Sequence, residues 1–406
     1  MKTRTLYQEI WDELSSEKNM VLLAGPRQAG KTTFSKIIAQ QYANQFYFNW
    51  DISGARVKFL ENPLFFREMK RVDDTLPLVV FDELHKFKDW KNYLKGLYDE
   101  FKQEYQFLIS GSGRLDTYRK GSDSLAGRYY LFHLWPFTIS ELGNNNHSFG
   151  RFMENPLRIR MDNHLFISDL WHNLTELSGF PEPFLSGKKT TYRRWSNTYS
   201  NQLIREDIRE QADIRSIGDV ESLYMLLPSK IGRPLSIPSL AKSLKVSYNS
   251  IQKWIMTFES LFLLFSITPW SKKISRAIQK ERKLYLWDSP RIEDPAARFE
   301  NMIALELYRA ISSWNDIGFG SFSLHYIRNR ENQEVDFLIA NERKPFLMIE
   351  AKLTETTPSP SLRIFQNQLK IPAIQLTQTG DSYRMIPNNS QHILCAPASQ
   401  WLSGLP

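Results

Sequence analysis

Residues Asn19 to Thr33 read NMVLLAGPRQAGKTT. The apolar run Met20 to Ala24 feeds a loop from Gly25 to Gly30, and Lys31, Thr32 and Thr33 open a helical pattern carried on by Phe34, Ile37 and Ile38. The loop satisfies G-x-x-x-x-G-K-[ST] in full. A strand before it and a helix after it are the context that sets a phosphate cradle apart from an ordinary glycine-rich turn. Gly25 and Gly30 let the backbone come close to an anion, and the helix N-terminus adds its dipole. Lys31 is placed to reach the outer phosphates and the Thr32 hydroxyl to ligate magnesium. ATP with magnesium is the expected ligand, held by Gly25, Pro26, Arg27, Gln28, Ala29, Gly30, Lys31, Thr32 and Thr33.

Upstream, Leu6, Ile10 and Leu14 lie four apart, the spacing of a one-sided helix. Downstream, Gln45 to Trp50 is a second apolar segment, followed by a helical stretch through Phe59, Phe65 and Met69. Alternating strand and helix predicts a parallel sheet covered on both faces. Leu76 to Glu83, LPLVVFDE, is a third strand ending in two carboxylates. Strands of such sheets deliver their C-terminal ends to the ligand crevice, so Asp82 is expected to hold magnesium and Glu83 to polarise the attacking water. A fourth strand, Gln106 to Ile109, ends in Ser110, Gly111, Ser112 and Gly113. Ser110 is the candidate sensor of the γ-phosphate, with Ser112 as its rival. Arg128, just before a fifth strand at Tyr129 to Leu134, is the candidate arginine finger, with Arg114 and Arg119 as rivals.

Together GPRQAGKTT, VVFDELHK, LISGSGRL and the LAGR-to-PFTISEL stretch, Leu125 to Leu142, resemble the AAA-type ATPases of a large bacterial and archaeal family. That family joins such a module to a C-terminal half of unknown function. The resemblance is close over residues 1–142 and implies a five-stranded sheet, ATP hydrolysis, a helical lid and assembly of identical subunits into a hexamer-like ring. The lid is expected over 143–212. There the Gly179 to Pro183 turn, Trp195, Tyr199 and the Arg205 to Ile208 run correspond to the family's pattern, with Glu206 inserted.

Residues 213–288 read as a winged-helix domain. A short helix over Ser239 to Leu244 and a turn at Lys245 to Ser247 lead into a longer helix over Tyr248 to Phe265, with Ile251, Ile255, Phe258 and Phe262 on one face. Phe265 to Thr268 and Leu284 to Trp287 are the expected wing strands. Between them Lys272, Lys273, Arg276, Lys280, Arg282 and Lys283 are opposed only by Glu281, a cluster suited to phosphate contacts.

In residues 289–406, Arg298, Phe299 and Glu300 open a helix, and apolar strands then carry Asp336 and, fourteen positions later, Glu350. Ala351 separates Glu350 from Lys352, so both charged chains share one face of a strand. An Asp followed by a strand with Glu-x-Lys resembles the arrangement of restriction-endonuclease-like nucleases. On that reading Asp336 and Glu350 ligate magnesium, Lys352 steadies the attacking hydroxide and Glu300 assists the metal from the helix. Gln366 stands at a further polar position in a following helix.

Composition sets limits. The 406 residues are 42% hydrophobic and 24% charged, which describes folded domains and not a disordered chain. The single cysteine, Cys395, excludes an intramolecular disulfide and a cysteine-rich zinc site. No run approaches the roughly eighteen apolar residues of a membrane span and no leader pattern opens the chain, so a cytoplasmic protein without a membrane partner is expected. A net charge of +8 favours a polyanionic partner, DNA above all. The expected fold class is α/β: a P-loop NTPase (AAA+) parallel sheet with a helical lid, then a winged-helix domain and a restriction-endonuclease-like α/β domain. The expected activity is ATP-driven movement or remodelling of duplex or branched DNA, Holliday junctions among the candidates, with a C-terminal domain that binds DNA and carries the residues of a nuclease. The alternative is a nucleotide-switched signalling or defence ATPase that does not move DNA.

Overall fold

A strand with no polar side chain is stable only with neighbours on both edges and cover on both faces. In the computed structural model β1 (Met20–Ala24) meets that demand: it is buried throughout and lies between β4 (Gln106–Ser110) and β5 (Tyr129–His133), parallel to both. The structure describes residues 4–112, 115, 125–143, 148–158, 164–208, 217–271, 281–354, 357–379 and 383–406. Two units divide it, Met1–Pro136 with Ser260–Phe262 and Phe137–Glu259 with Leu263–Pro406. Phe137 to Leu142, expected as the end of the ATPase core, belong to the second unit.

The first unit is a five-stranded sheet in the order β2-β3-β4-β1-β5, where β2 is Gln45–Asn49 and β3 is Leu78–Asp82, all strands parallel. Helices α1 (Thr5–Ser15), α2 (Lys31–Ala39), α3 (Ser53–Glu61) and α4 (Trp90–Phe101) accompany it. An aromatic cluster of Phe48, Phe59, Phe65, Phe66 and Phe81 packs largely edge to face within the core. Because β4 sits between β1 and β3, the strand that carries Ser110 is wedged between the phosphate loop and Asp82.

The second unit opens with short helices: α5 (Ile139–Leu142), α6 (Phe149–Glu154), α7 (His164–Leu177), α8 (Pro181–Ser186) and α9 (Lys189–Gln202). Phe180 packs on Trp195 and Tyr199, with centroids 4.8 and 5.0 Å away, so the expected lid aromatics form one nucleus. Then come α10 (Ile217–Leu226), α11 (Ile237–Leu244) and α12 (Tyr248–Ser260). Ser236 caps α11, Lys245 ends it in the left-handed region, and the Ser247 hydroxyl accepts from the Ser250 amide to start α12. The tight turn expected between two helices is thereby formed. The second helix stops five residues earlier than expected, at Ser260 and not Phe265, because Phe262 takes φ +55° and Leu264 enters a strand.

That strand, β6 (Leu264–Pro269), pairs antiparallel with β7 (Lys283–Leu286). The hairpin does not stand alone. β6 also pairs with β8 (Phe322–Arg328), so the two strands expected as a separate wing form one edge of an eight-stranded mixed sheet. After α13 (Pro295–Ile317), β8, β9 (Glu334–Asn341) and β10 (Lys344–Lys352) run as an antiparallel meander. Then follow α14 (Pro360–Leu369), β11 (Ala373–Thr377), β12 (Arg384–Asn388), β13 (Gln391–Pro397) and α15 (Ala398–Ser403). Helix, strand, strand with Asp, strand with Glu-x-Lys and helix thus follow one another in the expected order. Among the described residues no helix is long and apolar enough to cross a membrane.

Candidate nucleotide site and carboxylate cluster

The loop between β1 and α2 turns on two glycines. Gly25 has φ +140°, and a Cβ there would meet the Leu134 carbonyl oxygen at 2.3 Å; Gly30, at φ +98°, precedes the first helical residue. A side chain at Gly25 would force β1 and the end of β5 apart. The Ala29 carbonyl is held from outside the loop by buried Arg4, whose guanidinium donates to it at 3.3 Å and to Trp135 O at 2.7 Å. Sequence reasoning missed Arg4, since nothing local marks a residue whose partners lie so far along the chain.

Lys31 is buried at the N-terminus of α2, and its Nζ donates to the carbonyls of Gly25 at 3.0 Å and Pro26 at 2.6 Å. Burial, opposed by the charges of Glu83 and Asp82, brings its pKa down to about 8. Thr32 Oγ1 donates to Asp82 Oδ2 at 2.7 Å. Asp82 is fully buried and also accepts from Tyr47 OH at 2.5 Å, from Asn49 Nδ2 at 3.3 Å and from the Ser110 hydroxyl. A hydroxyl and a carboxylate this close at the mouth of the loop are hard oxygen donors, and the set fits magnesium. Ser110 turns its hydroxyl to Asp82, and Ser112 lies 3.4 Å from the His85 Nε2. Tyr47 and Asn49 escaped sequence reasoning. Their signal was the alternation in QFYFN, which sets Tyr47 and Asn49 on the face opposite Phe46 and Phe48.

Glu83 follows Asp82 in the left-handed region at φ +60°, uncommon for a residue with a side chain and characteristic of functional turns. Its carboxylate lies 3.4 Å from Lys86 Nζ and 3.7 Å from His85 Nε2, and Lys86 in turn pairs with Asp51 at 2.6 Å. Burial raises the Glu83 pKa even against the pull of Lys31 and Lys86, the direction a proton acceptor at neutral pH needs. Arg128 is not with these groups. It stands at the N-terminal end of β5, the other end of the sheet from the phosphate loop, and its guanidinium pairs with Asp99 at 2.8 Å. Arg114 and Arg119 lie outside the described residues, as does Gly113.

In the second unit the residues expected to act together do converge. The Ala351 amide donates to Asp336 Oδ2 at 2.9 Å, and Lys352 Nζ lies 3.0 Å from Glu350 Oε1. Burial first, then the charge of Asp336, raises the Glu350 pKa to about 8. Its other oxygen, Oε2, is buried without a hydrogen-bond partner. Glu300 comes in from α13 and accepts from Tyr285 OH at 2.8 Å.

Sequence reasoning did not foresee the centre of this cluster. The sequence sets Lys283 among the wing cations, but β7 pairs into the sheet and buries it. Its Nζ lies 2.7 Å from Glu334, 3.2 Å from Glu300 and 3.6 Å from Asp336, with the Tyr326 ring 5.5 Å away. Burial pulls its pKa down, yet Glu300, Asp336 and Glu334 outweigh burial and the net shift is upward. Lys283 is a charged ammonium among carboxylates and not a surface contact for phosphate. Glu334 carried a signal, since it stands two residues before Asp336 and shares its strand face. Lys272, Lys273, Arg276 and Lys280 lie outside the described residues, while exposed Arg282 is 4.0 Å from Glu259.

The donor set does not fit a divalent metal as it stands. An ammonium already holds Glu300, Glu334 and Asp336, and among the described residues no three carboxylate, imidazole or thiol groups are arranged to take a metal ion. Asp336 and Glu350, expected to ligate magnesium, and Glu300, expected to assist from the helix, thus share their surroundings with a buried ammonium, which lies 3.2 Å from Glu300 and 3.6 Å from Asp336. Gln366 is also spent elsewhere: its amide donates to His392 O and accepts from Asn388, both at 2.9 Å. Beside the cluster opens a cleft of about 700 Å³ whose lining includes Tyr326, two arginines, Arg328 and Arg330, and two glutamates, Glu281 and Glu331; Arg328 lies 3.6 Å from Glu334.

Comparison with known proteins covers both units. A family profile described as an AAA domain matches residues 17–143, and one described as a domain of unknown function matches 168–290. The chain is 23% identical over 400 residues to an uncharacterised protein of Mycobacterium tuberculosis, covering 95% of this chain and 81% of that one. It is likewise 23% identical over 393 residues to an uncharacterised protein of Methanocaldococcus jannaschii, covering 91% and 82%. Among solved structures, Drosophila ORC bound to DNA aligns at 14% identity and a TM-score of 0.31, covering 70% of this chain and 91% of that one. The S. cerevisiae Hsp104–ADP complex aligns at 12% and 0.32, covering 78% and 43%. The AAA-domain match, with the loop and carboxylate geometry, supports an AAA-type P-loop ATPase in the first unit. An AAA domain implies nucleotide binding, typically with magnesium.

Proposed function

We propose that this chain is an ATP-hydrolysing AAA-type protein of the cytoplasm that acts on DNA, moving or remodelling duplex or branched DNA such as a Holliday junction, and that it works as a ring of identical subunits. One observation carries the DNA part of the reading. Glu300, Asp336, Glu350 and Lys352 form one cluster, and the neighbouring cleft is lined by Arg328 and Arg330 together with Glu281 and Glu331; the two arginines are the groups that would meet a phosphodiester backbone. The helix, tight turn and helix of residues 237–260 are what supports a winged-helix contact with the duplex. The element order of residues 295–369 supports a restriction-endonuclease-like unit.

In the nucleotide site the loop N–H groups cradle the phosphates, and Lys31 exchanges loop carbonyls for phosphate oxygens. Glu83 takes a proton from the attacking water, and Thr32, Tyr47 and Ser110 fix the Asp82 carboxylate. Magnesium, when bound at Thr32 and Asp82, neutralises charge on the phosphates. The test is ATP turnover by the full chain without nucleic acid, with linear duplex and with a four-way junction. Glu83→Gln serves as the control for contaminating ATPase. Turnover stimulated by at least one DNA structure and abolished in Glu83→Gln is the expected result. Turnover indifferent to all DNA, accompanied by nucleotide-dependent growth of the oligomer, removes the DNA reading and favours a signalling or defence switch.

A further inference from the structure

Lys283 is an unusual neighbour for the residues of a nuclease-like site. Its side chain is completely buried, and its three N–H donors face three carboxylates from two elements: Glu300 on α13, and Glu334 and Asp336 on β9. The distances to Glu334 and Glu300, 2.7 and 3.2 Å, are those of an ammonium hydrogen-bonding to oxygen and the 3.6 Å to Asp336 is that of an ion pair, whereas magnesium demands ligands at about 2.0–2.1 Å in an octahedron. Nor is the lysine free to swing away. Its backbone is fixed on one side by pairing with Ile267 and on the other by a bridge to Pro234. Gly232, at φ +73°, brings the chain so close to Glu300 that a Cβ would stand 2.8 Å from Oε2, which leaves that carboxylate little room to turn to another partner.

We propose that Lys283 is the resident cation of this site, occupying among Glu300, Glu334 and Asp336 the space a divalent metal would need, so that the site as it stands binds no divalent metal and performs no metal-dependent cleavage. A divalent ion entering beside it would face a fixed positive charge a few ångströms away in a poorly solvated place. Remove that charge, and half-buried Glu300 and Asp336 remain beside buried Glu350, with Lys352 as the counter-ion of Glu350. The buried Oε2 of Glu350, which has no hydrogen-bond partner, is then an open acceptor for a metal. The inference rests on the nuclease-like reading of the cluster, though not on DNA being its partner.

The experiment is a Mn²⁺ titration of the nucleotide-free full chain, followed by electron paramagnetic resonance, in wild type, Asp336→Asn, Lys283→Met and the double variant. Wild type and Asp336→Asn should bind Mn²⁺ alike, because neither has a site at the cluster. Lys283→Met should gain one site, at least ten-fold tighter than any Asp336-dependent binding in wild type, and the double variant should lose it. A wild-type Mn²⁺ site that disappears in Asp336→Asn overturns the proposal, as does a folded Lys283→Met that gains none. Should Lys283→Met fail to fold, Lys283→Gln replaces it, and the wild-type comparison with Asp336→Asn still decides. Binding of a labelled duplex in EDTA, measured on the same wild-type protein, addresses the DNA reading separately. Loss of duplex binding with the Mn²⁺ pattern intact fells that reading and leaves Lys283 as the resident cation.

Discussion

Lys31 ties the nucleotide site to pH. Its folded pKa of about 8 lies below the 10.5 of an unperturbed lysine because burial penalises the ammonium. Two trends of opposite sign follow. In the nucleotide-free protein the unfolded chain binds more protons than the folded one between those values, so this group adds stability as pH climbs from about 8 to about 10.5. Nucleotide affinity moves the other way, since a phosphate needs the ammonium form, and should fall above pH 8, approaching about ten-fold per pH unit. Titration with a fluorescent ATP analogue from neutral pH upward reads this directly. A flat profile for Lys31→Arg, with the wild type declining, is expected; a wild-type profile equally flat refutes the role of Lys31. The motif residues were legible because their spacing is local: loop, lysine and hydroxyl lie within one turn of chain. Arg4, Tyr47 and Lys283 were not, since each acquires its role only when strands distant in sequence are brought side by side.

At the level of elements, the sheet overrode a reading based on composition. A run rich in lysine and arginine between two short apolar segments suggests an exposed hairpin, and Lys283 follows that run directly. Backbone pairing of β6 to β8 recruits the hairpin into the eight-stranded sheet and turns Lys283 inward. The seam between β6 and β8 is short, with Thr268 opposite His325 and Pro269 opposite Tyr326. His325 Nδ1 lies 3.2 Å from the Thr268 carbonyl oxygen and its Nε2 is 3.0 Å from Ser323 Oγ, contacts suited to a neutral ring that donates at Nδ1 and accepts at Nε2. Burial lowers the His325 pKa below 6.5, against the opposing effect of the Thr268 carbonyl. A histidine whose folded pKa is depressed loses stability for the fold as pH drops below its unfolded value, because the unfolded chain takes up the proton first. The melting temperature should therefore decline on acidification from pH 7 through the region below 6.5, and His325→Gln should flatten part of that decline. Equal slopes in the two proteins would show that the seam does not sense the proton. The meander of β8, β9 and β10 was legible for the opposite reason, since each strand reads as an apolar run closed by turn residues.

At the scale of an assembly of identical subunits, the group to test is Arg128. Within one chain it cannot serve the nucleotide bound to its own loop, because it sits at the opposite end of the sheet. Its partner Asp99 is exposed, and an ion pair on an open surface contributes little to stability and is readily exchanged for a stronger partner. A γ-phosphate presented by a neighbouring copy is such a partner: it offers more charge than one carboxylate, and a guanidinium can grip two of its oxygens at once. If Arg128 acts across a subunit boundary, two inactive variants must complement each other. Arg128→Ala subunits keep an intact loop and Glu83 but give their neighbours no finger. Glu83→Gln subunits bind nucleotide without turning it over, yet still offer Arg128. Neither alone should hydrolyse ATP at more than a small fraction of the wild-type rate. In an equimolar mixture an active boundary forms wherever an Arg128→Ala site meets a Glu83→Gln finger, and random assembly gives about a quarter of the wild-type turnover per subunit. A mixture no more active than its components, with mixed oligomers verified by differential tagging, rules Arg128 out as the finger. Full activity of Arg128→Ala by itself does the same, and moves the search to Arg114 and Arg119.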